Sequence, residues 1–190
     1  MTAKHVLRAQ TLAKRDALPS EFRIEAALDV AARFADLAIE PGQVVSAYWP
    51  IRSELDVRPL VFALMQQGAT VALPAVIDRE TIIFRRYQRA ETLVKAGFGT
   101  MAPPHDAPTM DPAVMLVPMA AFDGHGNRIG YGAGHYDRAI AKLIAKGQRP
   151  RLIGVAFDCQ RVEAVRAEAH DIALDAVITE SGLLTCHSAA

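Results

Sequence analysis

The chain has little with which to build covalent or metal chemistry. Two cysteines, Cys159 and Cys186, stand far apart and outside any C-x-x-C pattern, so neither a disulfide framework nor a paired-thiol site is expected, and reduced thiols in a reducing compartment are. Six histidines occur without H-E-x-x-H or paired Cys/His spacing, which removes the common zinc patterns. No G-x-S-x-G is present to make a nucleophile elbow. Lys plus Arg equals Asp plus Glu at 21 each, so no overall field favours nucleic acid or an acidic membrane. No apolar run reaches the ~18 residues of a membrane span, and the first residues lack the apolar core of a signal peptide. A cytoplasmic protein without nucleic-acid or membrane partners is expected.

What is present is an alternation of short apolar runs with helical patterns over 190 residues, enough for one domain over residues 1–190 that buries roughly 70% of its unfolded surface. Thr2 to Ala17 reads as a helix with Lys4, Arg8, Thr11 and Arg15 along one face, a spacing that suits a solvated face as readily as an anion contact. A second helix is expected from an N-cap at Ser20 to Glu40-Pro41-Gly42, its apolar face made of Ile24, Ala27, Leu28, Ala31 and Ala35. Strands are expected at 44–49, 70–73, 81–87 (an edge), 114–118, 152–157 and 176–179, with helices after Asp56 and from about Gly134 to Lys146. Strand–helix–strand units with short crossovers predict an α/β fold, a three-layer α/β/α sandwich around a mainly parallel, Rossmann-like sheet. Arg89 to Pro112 is long and rich in Gly and Pro, a candidate lid or pocket wall.

Five of the twelve glycines fall between Gly124 and Gly134, in a run that enters as a strand and leaves as a helix. Its spacing fails both G-x-G-x-x-G and the Walker A pattern. Free amide N–H groups at the start of the following helix still favour an anion there, at the carboxyl end of a strand in an open sheet.

The stretch Phe122-Asp-Gly-His-Gly-Asn-Arg-Ile-Gly-Tyr-Gly-Ala-Gly-His-Tyr-Asp-Arg138 resembles the signature of the 5-formyltetrahydrofolate cyclo-ligases. Lys4 and Arg8, Glu54 in Ser-Glu-Leu-Asp, His170 with Asp171, and Asp175 to Glu180 match further family elements in order. The resemblance implies an enzyme that uses ATP and Mg²⁺ to convert 5-formyltetrahydrofolate to 5,10-methenyltetrahydrofolate, releasing ADP and phosphate. It places the nucleotide against Lys4, Arg8, Arg128, Ile129, Gly130, Tyr131, Gly132, Ala133, Gly134, His135 and Tyr136. The folate falls to Trp49, Glu54, Phe98, Tyr131, Gly132, Ala133, Gly134 and His135. It implies a metal site of Asp137 and Asp175, and catalytic roles for Arg128, Tyr136 and Asp137. From the residues alone, Asp137 equally suits a helix cap, Trp49 core packing and Glu54 an ordinary loop carboxylate. Some relatives carry Arg and Lys where this chain has Tyr131 and Ala133, and an aromatic in place of His135; Lys4, Arg8, Arg128 and Arg138 are then expected to supply the missing charge. A monomer is expected. A divergent binding relative without catalysis is the alternative.

Overall fold

Five strands that are largely apolar on both faces form the middle of the sheet, because helices cover both sides of a parallel array. The computed structural model describes residues 3–168 and 171–186, and of Phe98 the backbone only. In chain order the elements are α1 (Ala3–Asp16), α2 (Ser20–Ala32), β1 (Val44–Ser46), α3 (Arg58–Gln66), β2 (Thr70–Val76), β3 (Ile82–Arg86), β4 (Val94–Lys95), β5 (Met101–Ala102), β6 (Val114–Pro118), β7 (Ala121–Phe122), β8 (Arg128–Ile129), α4 (His135–Ala145), β9 (Arg151–Val155), β10 (Ala176–Thr179) and β11 (Gly182–Thr185).

The main sheet runs β11-β10-β9-β6-β1-β2-β3. Its five inner strands are parallel, while β3 and β11 pair antiparallel at the two edges. The α/β/α sandwich is the expected one. On one face, Ala27 and Val30 of α2 and Leu60, Val61 and Leu64 of α3 pack on Val45, Leu116 and Ile153. On the other, Ile140 and Leu143 of α4 pack on Met115, Val117 and Leu152. Among the described residues no helix is long and apolar enough to cross a membrane.

Strand order reverses between β1 and β6: from β1 the chain moves to β2 and β3, then returns to lay β6 on the other side of β1. The crevice outside the carboxyl ends of those two strands is where open α/β sheets bind ligands.

Three expectations are corrected. The second helix begins at Ser20 with Pro19 at the cap position, and the Ser20 hydroxyl bonds to Glu21 rather than to the backbone. That helix ends at Ala32 and buries Ala26, Ala27 and Val30, leaving Ile24 and Leu28 exposed at 63% and 56%; small residues let it lie close to the sheet, so the bulkier pair points outward. The edge strand β11 and the short hairpins β4–β5 and β7–β8 are additional to the expected strands.

Candidate active site

At this crevice lies a cavity of about 930 Å³, in the size range of small-molecule sites. The loop after β1, the end of β2, Pro118 of β6, the glycine run and α1 enclose it. It is built from three walls.

The first wall is the glycine run, which the structure divides in two. Gly124 and Gly126 belong to the turn of the β7–β8 hairpin, where the buried Asp123 carboxylate accepts from the N–H groups of His125, Asn127 and Val165. Gly126 (φ +84°) is pressed so close to the Leu174 carbonyl that a Cβ would fall 2.4 Å from it. These two glycines serve the turn. Ile129, Gly130, Tyr131, Gly132, Ala133 and Gly134 line the cavity, with Gly132 and Gly134 in left-handed conformations at φ +100° and +65°. No side chain caps α4, so its first N–H groups lack intrahelical acceptors at the cavity edge. Arg128, with only 6% of its side chain exposed, donates to Asp137 at 2.5 Å and to the Ile172 carbonyl. Asp137 sits in the first turn of α4 without capping it.

The second wall is α1. Its polar stripe faces inward: Thr11 and Arg15 are buried, and Lys4 and Arg8 line the cavity. Arg8 Nε donates to the Gly130 carbonyl at 2.7 Å. Lys4 Nζ lies 2.7 Å from Asp171 and 3.1 Å from Glu168; burial would lower its pKa, but these two carboxylates outweigh that and raise it.

The third wall is aromatic and carries a carboxylate. Trp49 meets Tyr87 edge to face, ring centroids 5.9 Å apart, and the Arg58 guanidinium lies over its ring at 5.5 Å. Trp49 thus packs on the core and borders the cavity at once. Burial pushes the Glu54 carboxyl above the ordinary glutamate range, against the Ile51 N–H, Tyr131, Arg15 and Arg52, which pull it down. Arg52 lines the cavity with φ +53°, a strained conformation for a side chain of this kind. The Tyr136 hydroxyl is buried, without a hydrogen-bond partner among the described residues, and burial drives its pKa far up.

Not every expected residue reaches the cavity. Asp175 lies outside it: one oxygen accepts from the Leu152 N–H at 2.7 Å and the other from Arg149 at 3.1 Å, at the amino ends of β9 and β10. The structure therefore does not bring Asp175 together with Asp137, and among the described residues no group of three or more His, Cys, Asp or Glu could hold a metal ion. The backbone of Phe98 forms a turn between β4 and β5; its side chain and His170 lie outside the described residues. Thr100 and Met101 of the same segment do line the cavity, so the 89–112 stretch provides wall. His135 does line the cavity, and its ring bonds to the Arg79 carbonyl at 2.9 Å. Arg138, expected to supply charge, donates to the carbonyls of Glu80 and Ala133.

Several wall residues were not anticipated: Tyr48, Arg52, Pro118, Glu168 and Ile172 line the cavity, and Arg15 with Ser53 lies behind it. Only Arg15 had a signal, its place on the stripe of α1.

Fold and cavity together define a ligand-binding protein of the open α/β kind, its site at the reversal of strand order. A model of the 5-formyltetrahydrofolate cyclo-ligase family matches residues 1–180. A 5-formyltetrahydrofolate cyclo-ligase of Mycolicibacterium smegmatis is 35% identical over 185 residues, covering 93% of each chain. A 5,10-methenyltetrahydrofolate synthetase of Aquifex aeolicus superposes with a TM-score of 0.80 at 27% identity, covering 100% of this chain and 95% of that one. A second synthetase, from Mycoplasma pneumoniae, superposes at 0.74 with 25% identity over 94% and 99% of the two chains. The chain belongs to the 5-formyltetrahydrofolate cyclo-ligase family, and the protein is a ligase.

Proposed function

We propose that the protein converts 5-formyltetrahydrofolate to 5,10-methenyltetrahydrofolate in the cytoplasm, as a monomer, at the cost of one ATP. The reading is carried by one observation: a single cavity joins an uncapped helix start and the cations of α1 to an aromatic, carboxylate-bearing wall. A phosphoryl donor and its folate acceptor fit that division.

The chemistry follows from the substrate. A formamide oxygen does not leave, so the γ-phosphoryl of ATP moves to it, releasing ADP. N10 then attacks the formyl carbon and loses its proton, and the C–O bond breaks to expel phosphate. The protein's share is positioning and charge stabilisation rather than covalent catalysis.

Lys4 and Arg8 face the phosphates from α1, and the amides from Gly130 to Tyr136 face them from the glycine wall. Lys4 is held meanwhile by Asp171 and Glu168, anions whose place a triphosphate takes. Bound with the nucleotide, Mg²⁺ would supply charge neutralisation on the phosphoryl oxygens. Of the four cavity carboxylates, Glu54, Asp137, Glu168 and Asp171, Asp137 at the helix start would hold such an ion together with oxygens of the nucleotide. Arg128 holds Asp137 in place through their 2.5 Å pair. Trp49 offers a flat apolar face to the pterin or benzoyl ring, Glu54 accepts from the pterin N–H edge, and the unpartnered Tyr136 hydroxyl donates to the oxygen on which charge develops.

The test is direct. Protein, ATP, Mg²⁺ and 5-formyltetrahydrofolate are mixed at mildly acidic pH and the near-ultraviolet methenyl absorbance is followed. An ATP-dependent rise is expected; its absence sinks the reading.

A further inference from the structure

Arg15 is only 2% exposed and is the largest side chain buried so completely. It forms no direct ion pair among the described residues, so a full positive charge sits out of water and reaches Asp16 only through the Ser53 hydroxyl. Desolvating a guanidinium is costly, and an apolar side chain would fasten α1 at lower cost. The charge is aimed instead at the site. Nε donates to the Ser53 hydroxyl at 3.0 Å, one residue before Glu54, and the Ser53 hydroxyl donates to Asp16. Nη1 donates to the Tyr131 hydroxyl at 2.7 Å, with the guanidinium 5.8 Å from the ring centre. Tyr131 and Glu54 line the same cavity, where burial raises the Glu54 carboxyl and Tyr131 and Arg15 oppose the rise. Charge-assisted donation therefore runs from Arg15 to Tyr131 on the glycine run and to Ser53 on the loop that carries Glu54.

We infer that Arg15 is a positioning residue: its buried guanidinium, acting through the Tyr131 hydroxyl and through Ser53, holds the Glu54 carboxylate and the glycine run in the arrangement that accepts the folate. This rests on the function proposed above and extends it to a residue that never touches the ligand. It also gives Tyr131 a use that a cation at that position would not have. A tyrosine hydroxyl can accept from Arg15, whereas arginine or lysine only donates.

The experiment is steady-state kinetics on wild type, Tyr131→Phe, Arg15→Leu, Arg15→Lys and the Tyr131→Phe/Arg15→Leu double variant, each with its thermal unfolding midpoint. Tyr131 is 36% exposed, so Tyr131→Phe removes the acceptor of the Arg15 bond without opening the core and remains informative where Arg15→Leu does not fold. Expected for Tyr131→Phe is a KM for 5-formyltetrahydrofolate raised about tenfold, the loss of one charge-assisted hydrogen bond, with kcat and the KM for ATP changed less than about threefold. Arg15→Leu, which also loses the Ser53 bond, should raise the folate KM at least as far, Arg15→Lys should recover part of the affinity, and the double variant should bind folate no worse than Arg15→Leu, because Tyr131→Phe cuts a bond that Arg15→Leu already removes. An unchanged folate KM in Tyr131→Phe, or effects that multiply in the double variant, would overturn the inference while wild-type turnover keeps the function. A wild type without ATP-dependent turnover overturns both.

Discussion

In the role proposed for it, the Glu54 carboxyl offers two acceptor oxygens to a pterin edge only when ionised, yet burial favours its neutral form. Folate KM is therefore expected to rise as pH falls, with an inflection above the ordinary glutamate range, and Glu54→Gln should weaken binding and erase that limb in a KM–pH profile. Stability has the opposite sign. A raised folded-state pKa gives stability that is complete below the unfolded pKa and lost as pH climbs through the folded one, so Glu54→Gln should raise the thermal midpoint at neutral pH by about a degree or two, with no gain in acid. Asp137 separates its roles differently. Asp137→Asn should lower kcat about a hundredfold while shifting the unfolding midpoint at most a few degrees; equal loss of both would mark Asp137 as a scaffold partner of Arg128. At this scale the sequence was legible where a motif names residues in a row, from Arg128 to Asp137. Arg15 stood on a visible stripe, but periodicity cannot tell an inward stripe from a wet one. Asp175 misled because a carboxylate matching in order is not thereby matching in place: it ties the amino ends of two strands.

The strands of the main sheet read well at the level of elements, because parallel inner strands are largely apolar and leave nearly unbroken runs. The edges read less well. β11 pairs with β10 although its burial alternates with exposed positions, and two-residue strands such as β7 and β8 carry no periodicity at all. The face of α2 was misjudged because its alanines, rather than Ile24 and Leu28, approach the sheet. The β7–β8 turn also divides the glycine run into a scaffold half and a site half, which differ in a measurable way. Gly126→Ala meets both a left-handed backbone and the Leu174 carbonyl, and should cost about 2–4 kcal/mol in chemical unfolding. Gly130, with open space where a Cβ would go and no left-handed backbone, should tolerate Ala in folding, so that any loss shows in ATP binding alone.

Across the whole molecule, the two larger core clusters bind α2, α3 and α4 to the sheet, and α1 is named in neither. It lies across the end of the sandwich, where Leu7 and Leu12 pack on a small cluster of Ala120, Ala121, Ile129 and Val165. Topology was legible from strand order and crossover length, but this strap-like placement was not, since no pairing rule fixes a helix that precedes the first strand. Its cations Lys4 and Arg8 sit on the cavity, so the segment held by the smallest share of the core carries the charge that a nucleotide would meet. Occupancy of the site and order of this helix are thereby linked: amide exchange in α1 should slow when ATP binds while exchange in β6 stays unchanged, making the N-terminal helix a built-in gauge of the loaded state.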